Sequence, residues 1–289
     1  MEPTSKIPSS HQPLRSISLP IRIHPSFQRV QALLNHLKPS QERSISSNLE
    51  TETIQNGLAV LSELYNCMED LLQSSHTQQA LLKSQQGKMV EEALCGSVTL
   101  LDACGAARDL LLVLRDHLQT LQSALRRRRG DSTVESSISA YVSFRKKAKK
   151  EIAKQLGALK RMEIKVSPLS EIGQDQNLIF LARVLKEAGT VTISVLRSVL
   201  VFLSTPRLKT KESSLISKLK PSRLFSSEKE QRNTNEVSLC SLVGKGRHNE
   251  AQKVLEGLIE SISGIEGGLD CINRCLVKHR VCFLNMLSH

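Results

Sequence analysis

Apolar side chains recur every three or four positions over most of this chain, and that period predicts helices that each bury one stripe. The clearest run is Ile54, Leu58, Leu61, Tyr65, Met68 and Leu72, at steps of 4, 3, 4, 3 and 4. Ahead of it, Ser47-Asn48-Leu49-Glu50 fits a capping box, so this first long helix is expected to start at Ser47. Ser74-Ser75-His76 make a connection. A second helical region follows from about Thr77 to Arg129, with a break near Gly87, and carries the stripe Leu111, Leu114, Leu118, Leu121 and Leu125. Gly130 stands where a left-handed C-cap favours glycine, and Arg126 to Arg129 fill the last turn, at the negative end of the helix dipole.

Ser132-Thr133-Val134-Glu135 is a second capping box, so a third helix starts at once. Ile138, Tyr141, Ala148, Ile152, Leu159 and Met162 supply its apolar face. So short a turn forces the two helices antiparallel, giving a hairpin centred on Gly130. Pro168 closes the third helix, a fourth spans about Gln174 to Leu203, and Pro206 stops it. Positions 205–235, rich in Ser, Lys and Arg, read as a mobile loop. The last helix runs from about Asn249 to Leu287, lined by Leu255, Ile259, Ile262, Leu269, Ile272, Leu276, Phe283 and Leu287. Unbroken it would be about 60 Å long, with Gly264, Gly267 and Gly268 as places to bend. No strand pattern and no internal repeat emerges. The expected fold is all-α: an elongated antiparallel bundle of about five long helices over 45–289, preceded by a flexible Ser/Pro-rich arm over 1–44 with a short helix near Phe27 to Leu37.

Composition narrows the class. Hydrophobic residues make up 39% of the 289 positions and aromatics only 3%, so the core must be built from Leu, Ile, Val and Ala. Seven scattered cysteines, an odd number, argue for reduced thiols rather than a disulfide framework. No apolar h-region follows Met1, and the most apolar stretch, Thr190 to Leu203, holds Arg197 and falls short of the ~20 residues of a membrane span. It reads as a buried core helix, and no transmembrane segment is expected. The net charge of +12 is concentrated: from Arg126 to Lys165 there are thirteen Lys/Arg and four Asp/Glu. Such a field attracts an acidic protein face, an anionic membrane surface or nucleic acid.

Catalytic signatures are missing. There is no phosphate-binding loop, no G-x-S-x-G elbow and no H-E-x-x-H motif, so neither a catalytic residue nor a cofactor is expected. Cys271, Cys275, His279 and Cys282 lie on one side of the last helix, but residues eight apart are about 12 Å distant along its axis, so packing is the simpler reading than metal binding. Asp102, Asp109, Asp116 and His117 read as a solvated face. Candidate partner contacts are the cations flanking the hairpin: Arg126, Arg127, Arg128 and Arg129, then Arg145, Lys146, Lys147, Lys149 and Lys150. Nuclear import, anionic-lipid contact and nucleic-acid contact remain open for them, nucleic acid being least favoured because aromatics to stack on bases are scarce. In the arm, Arg15-Ser16-Ile17-Ser18-Leu19-Pro20 makes Ser18 a candidate phosphorylation site and, once phosphorylated, a ligand for a 14-3-3 protein; Arg223-Leu224-Phe225-Ser226 is a weaker kinase site.

Several blocks resemble one plant family, the "domain of unknown function 241" or BYPASS-related proteins. They are the Ser18 segment, Leu61 to Met68, Thr77 to Leu81, Leu94 to Ser97, Leu100 to Cys104, Leu121 to Gly130 and Arg280 to Ser288. The resemblance implies a plant protein acting in root and shoot development, with no catalytic residue to carry over. Three functions are therefore expected in competition: a non-enzymatic adaptor binding an acidic protein or membrane face, a small-molecule enzyme or signalling-metabolite protein with a pocket in the bundle, and a nuclear factor. A cytoplasmic location is expected first, with chloroplast or nucleus as alternatives.

Overall fold

The structure, a computed structural model, describes residues 25–38, 47–74, 77–78, 87–127, 131–164, 176–204 and 248–288. The Ser18 segment, the Ser47-to-Glu50 cap side chains, Arg128, Arg129, Gly130 and the 205–235 stretch lie outside them. Six helices are described: α1 Pro25–Leu37, α2 Ser47–Gln73, α3 Gly87–Arg126, α4 Asp131–Ile164, α5 Gln176–Ser204 and α6 His248–Ser288. The fold is an all-α bundle, as the periodicity predicts.

Side-chain contacts give the direction of each helix. His117 stacks 5.1 Å from Phe144, while Gly96 near the start of α3 faces Met162 near the end of α4, so the hairpin is antiparallel. Arg197 pairs with Glu163 at 2.7 Å, and Arg145 reaches the last residues of α5, so α5 reverses again. Tyr65 meets Thr192 and Gly57 faces Val195, setting α2 antiparallel to α5. Arg108 pairs with Asp270 at 2.5 Å and Arg126 with Glu256 at 2.7 Å, setting α6 antiparallel to α3. The odd number of long helices then leaves α2 and α6 parallel where the ring closes, as the Gln55–Ser261 and Glu69–Lys278 contacts show. Helix α1 lies over α2 and α5, with Phe27 4.4 Å from Phe180 and Lys38 3.1 Å from Glu187.

The predicted stripes form one core. Leu58, Leu61, Leu111, Leu118, Leu121, Leu159, Leu196, Leu255 and Ile262 are fully buried. Each such side chain contributes about 1.5–3 kcal/mol relative to exposure. Leu72, Val90, Leu181 and Phe283 make a smaller cluster at the end of the bundle where α3 and α5 begin. Helix α6 stays helical through Gly264, Gly267 and Gly268. Gly268 has a packing reason: a Cβ there would lie 2.9 Å from the Leu58 Cβ, so a bare backbone lets α6 approach α2.

Of three boundaries, two differ from expectation. Helix α4 starts at Asp131, which moves Ser132 from the cap into the first turn. Helix α3 starts at Gly87, where the sequence places a break. The apolar part of α5 is longer than the Thr190-to-Leu203 stretch: Ile179–Ser204 is long and apolar enough to cross a membrane by length and composition. Here it packs against α1, α2, α3 and α4, with Val184, Ala188, Thr192, Leu196, Val199 and Leu203 buried. Its apolar length follows from contact with neighbours on several sides.

Candidate functional site

The polar residues of α6 meet the carbonyls of α2. His279 is 3% exposed, and its Nε2 lies 2.7 Å from the Tyr65 carbonyl oxygen. A carbonyl only accepts, so Nε2 carries the hydrogen. Burial holds the His279 pKa below its ordinary value, partly opposed by this hydrogen bond. The Tyr65 ring stands edge-on to the imidazole at 4.8 Å. Thr192 Oγ1 donates to the Ala188 carbonyl at 2.6 Å, so the 2.9 Å contact with Tyr65 has the phenol as donor. Burial pushes that phenol up to about 12. One side-chain chain thus ties α6 to α2 and α2 to α5. Such buried networks specify how helices pack.

Cys275 points the same way, with Sγ 3.7 Å from Asn66 Oδ1. Cys271 instead accepts from Arg274 at 3.2 Å. Among the described residues no group of three or more His, Cys, Asp or Glu is placed to hold a metal ion. The Cys271, Cys275, His279 and Cys282 set is divided between packing and the helix edge. Cys104 is buried where its Sγ lies 3.5 Å from the Leu269 carbonyl, and burial raises its thiol to about 12.

The cationic blocks divide as well. Arg126 pairs with Glu256 at 2.7 Å, and Arg127 is exposed beside it. Arg145 is a correction to the predicted contact set: it is 1% exposed and points inward. Its guanidinium donates to the carbonyls of Leu203 at 2.5 Å and Ser204 at 3.0 Å. Those are last-turn carbonyls of α5, which lack partners within their own helix. A cation at that end also meets the negative pole of the helix dipole. Arg145 therefore closes α5 and takes no part in a surface.

Lys146, Lys147, Lys149 and Lys150 are all exposed. The helical period extends their face to Lys154, Lys160 and Arg161, also exposed, which the sequence reading counted only in the charge total. Steps of three and four from Lys146 would have found them. On this face Glu151 lies 3.4 Å from Lys154, one turn away. From Lys146 to Arg161 the cationic ridge is about 22 Å long. Lys146 to Lys150 lie about 22–28 Å from the start of α4, so the Arg block and the Lys block do not merge into one patch. Asp102, Asp109 and Asp116 are exposed on α3, as expected of a solvated face, whereas His117 departs from it and is half-buried against Phe144 of α4.

No curated protein and no solved structure matches the chain significantly. The family model described as Protein BPS1 matches residues 57–286, a span that holds the buried His279–Tyr65–Thr192 contacts, Arg145 and the whole Lys146-to-Arg161 ridge. The chain belongs to the BPS1 family, the plant BYPASS-related proteins of the "domain of unknown function 241".

Proposed function

We propose that this protein is a non-enzymatic regulatory adaptor in plant root and shoot development, engaging an acidic protein or an anionic membrane surface through the outer face of α4. Its family is one of plant developmental regulators. One observation carries the binding mode: Lys146, Lys147 and Lys150 are exposed with no ion pair among the described residues, on a rigid helix braced from beneath by Tyr141, Ala148 and Ile152. Lysine is a point charge without the planar fork of arginine, so this face suits diffuse negative charge better than a bidentate carboxylate site. Near an anionic bilayer each lysine contributes about 1 kcal/mol, and the attraction fades beyond the Debye length of ~8 Å at physiological salt. The polar groups that could have served catalysis, His279, Tyr65 and Thr192, instead bond to one another's helices. A cytoplasmic location, and 14-3-3 binding by phosphorylated Ser18, belong to the same reading.

The test is binding at two salt concentrations. The full chain should sediment with phosphatidylserine vesicles, or bind an acidic polypeptide, at 50 mM salt and release at 500 mM. Reversal of Lys146, Lys147, Lys149 and Lys150 to Glu should abolish binding while helicity is retained. Binding unchanged by that reversal would sink the reading.

A further inference from the structure

The cationic ridge has an acidic counterpart on the same molecule. Asp102, Asp109 and Asp116 recur every seven residues along α3 and are exposed, with no ion pair among the described residues. Seven residues are nearly two turns, so all three point from one face over about 21 Å. That matches the ~22 Å from Lys146 to Arg161. The two ridges also share a height. The antiparallel register set by His117 with Phe144 and Gly96 with Met162 puts Asp109 level with Glu151. Glu151 lies within one turn of the midpoint of the lysine ridge. Between the aspartates, Leu112 and Val113 are exposed at 43% and 45%.

Equal length, equal height and opposite sign on adjacent antiparallel helices make this face complementary to itself. We propose that the partner met by the α4 ridge is a second copy of this chain, in a two-fold dimer whose axis runs along the bundle. This inference rests on the proposed function, in which the α4 ridge is a binding face, and names its occupant. A rotation about an axis parallel to the helices keeps every residue at its height and exchanges left with right. It therefore seats α4 of one copy on α3 of the other, lysines on aspartates, twice over. A two-fold axis across the helices would instead put α3 on α3 and is opposed by like charge. Leu112 and Val113 come to the centre of the contact, where desolvated apolar anchors contribute most. Two helices about 22 Å long cover roughly 400–500 Å² per copy, the size of a transient, salt-sensitive interface rather than an obligate one.

Sedimentation velocity of the full chain at 100 µM should show dimer in 50 mM salt and monomer in 500 mM. The triple variant K146E/K150E/K154E should be monomeric, and so should D102K/D109K/D116K, each with the helicity of the parent. Mixed in equal amounts, the two variants should form a heterodimer, because each contact then joins Glu to Lys or Asp to Lys. The mixed dimer should be at least tenfold tighter than either variant with itself. A parent chain monomeric at 50 mM salt, or a mixture that stays monomeric when the parent dimerises, overturns the dimer. In either event, a parent that binds phosphatidylserine vesicles where K146E/K150E/K154E does not leaves the α4 ridge as a binding face for another surface. A parent that neither dimerises nor binds vesicles or acidic polypeptide removes both readings.

Discussion

Replacing Arg145 by methionine isolates the contact that closes α5. Methionine keeps most of the apolar stem between Tyr141 and Ala148 and removes only the guanidinium. Two hydrogen bonds then disappear, to Leu203 O at 2.5 Å and Ser204 O at 3.0 Å. Bonds from a charged donor are worth about 1.5–3 kcal/mol each, and an orphaned buried carbonyl costs ~1–3 kcal/mol. The variant also escapes the cost of keeping a cation at 1% exposure, which is several kcal/mol. Ser204 is only half-buried, so water can replace one of the two bonds. The balance is a loss of about 2–3 kcal/mol.

For a chain of this size that loss lowers the Tm by roughly 5–10 °C. Thermal unfolding followed by circular dichroism reads it directly. Lys146→Met, one residue away but exposed, should change stability by less than about 0.5 kcal/mol. Amide exchange should accelerate in the last turns of α5, where the carbonyls lose their cap, and stay unchanged at the start of that helix. Arg145→Lys should fall between, because one ammonium on a shorter stem replaces a two-pronged donor. A methionine variant as stable as the parent, or one that destabilises the bundle without loosening the end of α5, would refute the reasoning.

Gly268→Ala should destabilise by about 1–3 kcal/mol, because the new methyl meets the Leu58 side chain. Gly267→Ala, one residue earlier with open space around it, should stabilise by ~0.5–1 kcal/mol through helix propensity, and urea unfolding of the pair separates the two effects. For His279, burial keeps the folded pKa below the unfolded value of 6.5, so the unfolded chain takes up a proton that the fold refuses. Stability therefore holds above about pH 6.5 and falls as the pH drops through that value toward the depressed folded pKa; Glu69 and Lys278 are the charges that act on the ring, in opposite senses. His279→Gln should flatten that part of the urea-midpoint profile between pH 7.5 and 5, while a parental slope in the variant would assign the titration to another group. Exposed Cys95 should react with Ellman's reagent in the native state at pH 8, whereas Cys104, raised to about 12 and buried, should react only on unfolding.

Apart from α5, the long helices were legible because each buries a single stripe. Ile54, Leu58, Leu61, Tyr65, Met68 and Leu72 repeat at 3 and 4, and all six are buried. Helix partners were not legible, since a stripe says that a face is covered and not by what. The parallel α2–α6 contact, through His279 and Tyr65, which stand 214 positions apart, leaves no local trace. The start of α4 was less legible, because Asp131 and Ser132 both suit a helix start by composition and the helix begins at Asp131.

The surface shows a different failure, and a signal was present. Counting charge along the chain groups Arg145 with Lys146, Lys147, Lys149 and Lys150. Counting by helical position separates it, because Tyr141, Arg145, Ala148 and Ile152 fall at steps of 4, 3 and 4, on the buried stripe. A lone cation in register with an apolar face must find acceptors inside the bundle, and the acceptors most in need of a donor are the last carbonyls of a neighbouring helix. The same count places Lys146, Lys150, Lys154 and Arg161 together on the opposite side. The block thus holds two chemistries, a buried donor that ends α5 and an exposed ridge that awaits negative charge, and their helical phase alone tells them apart.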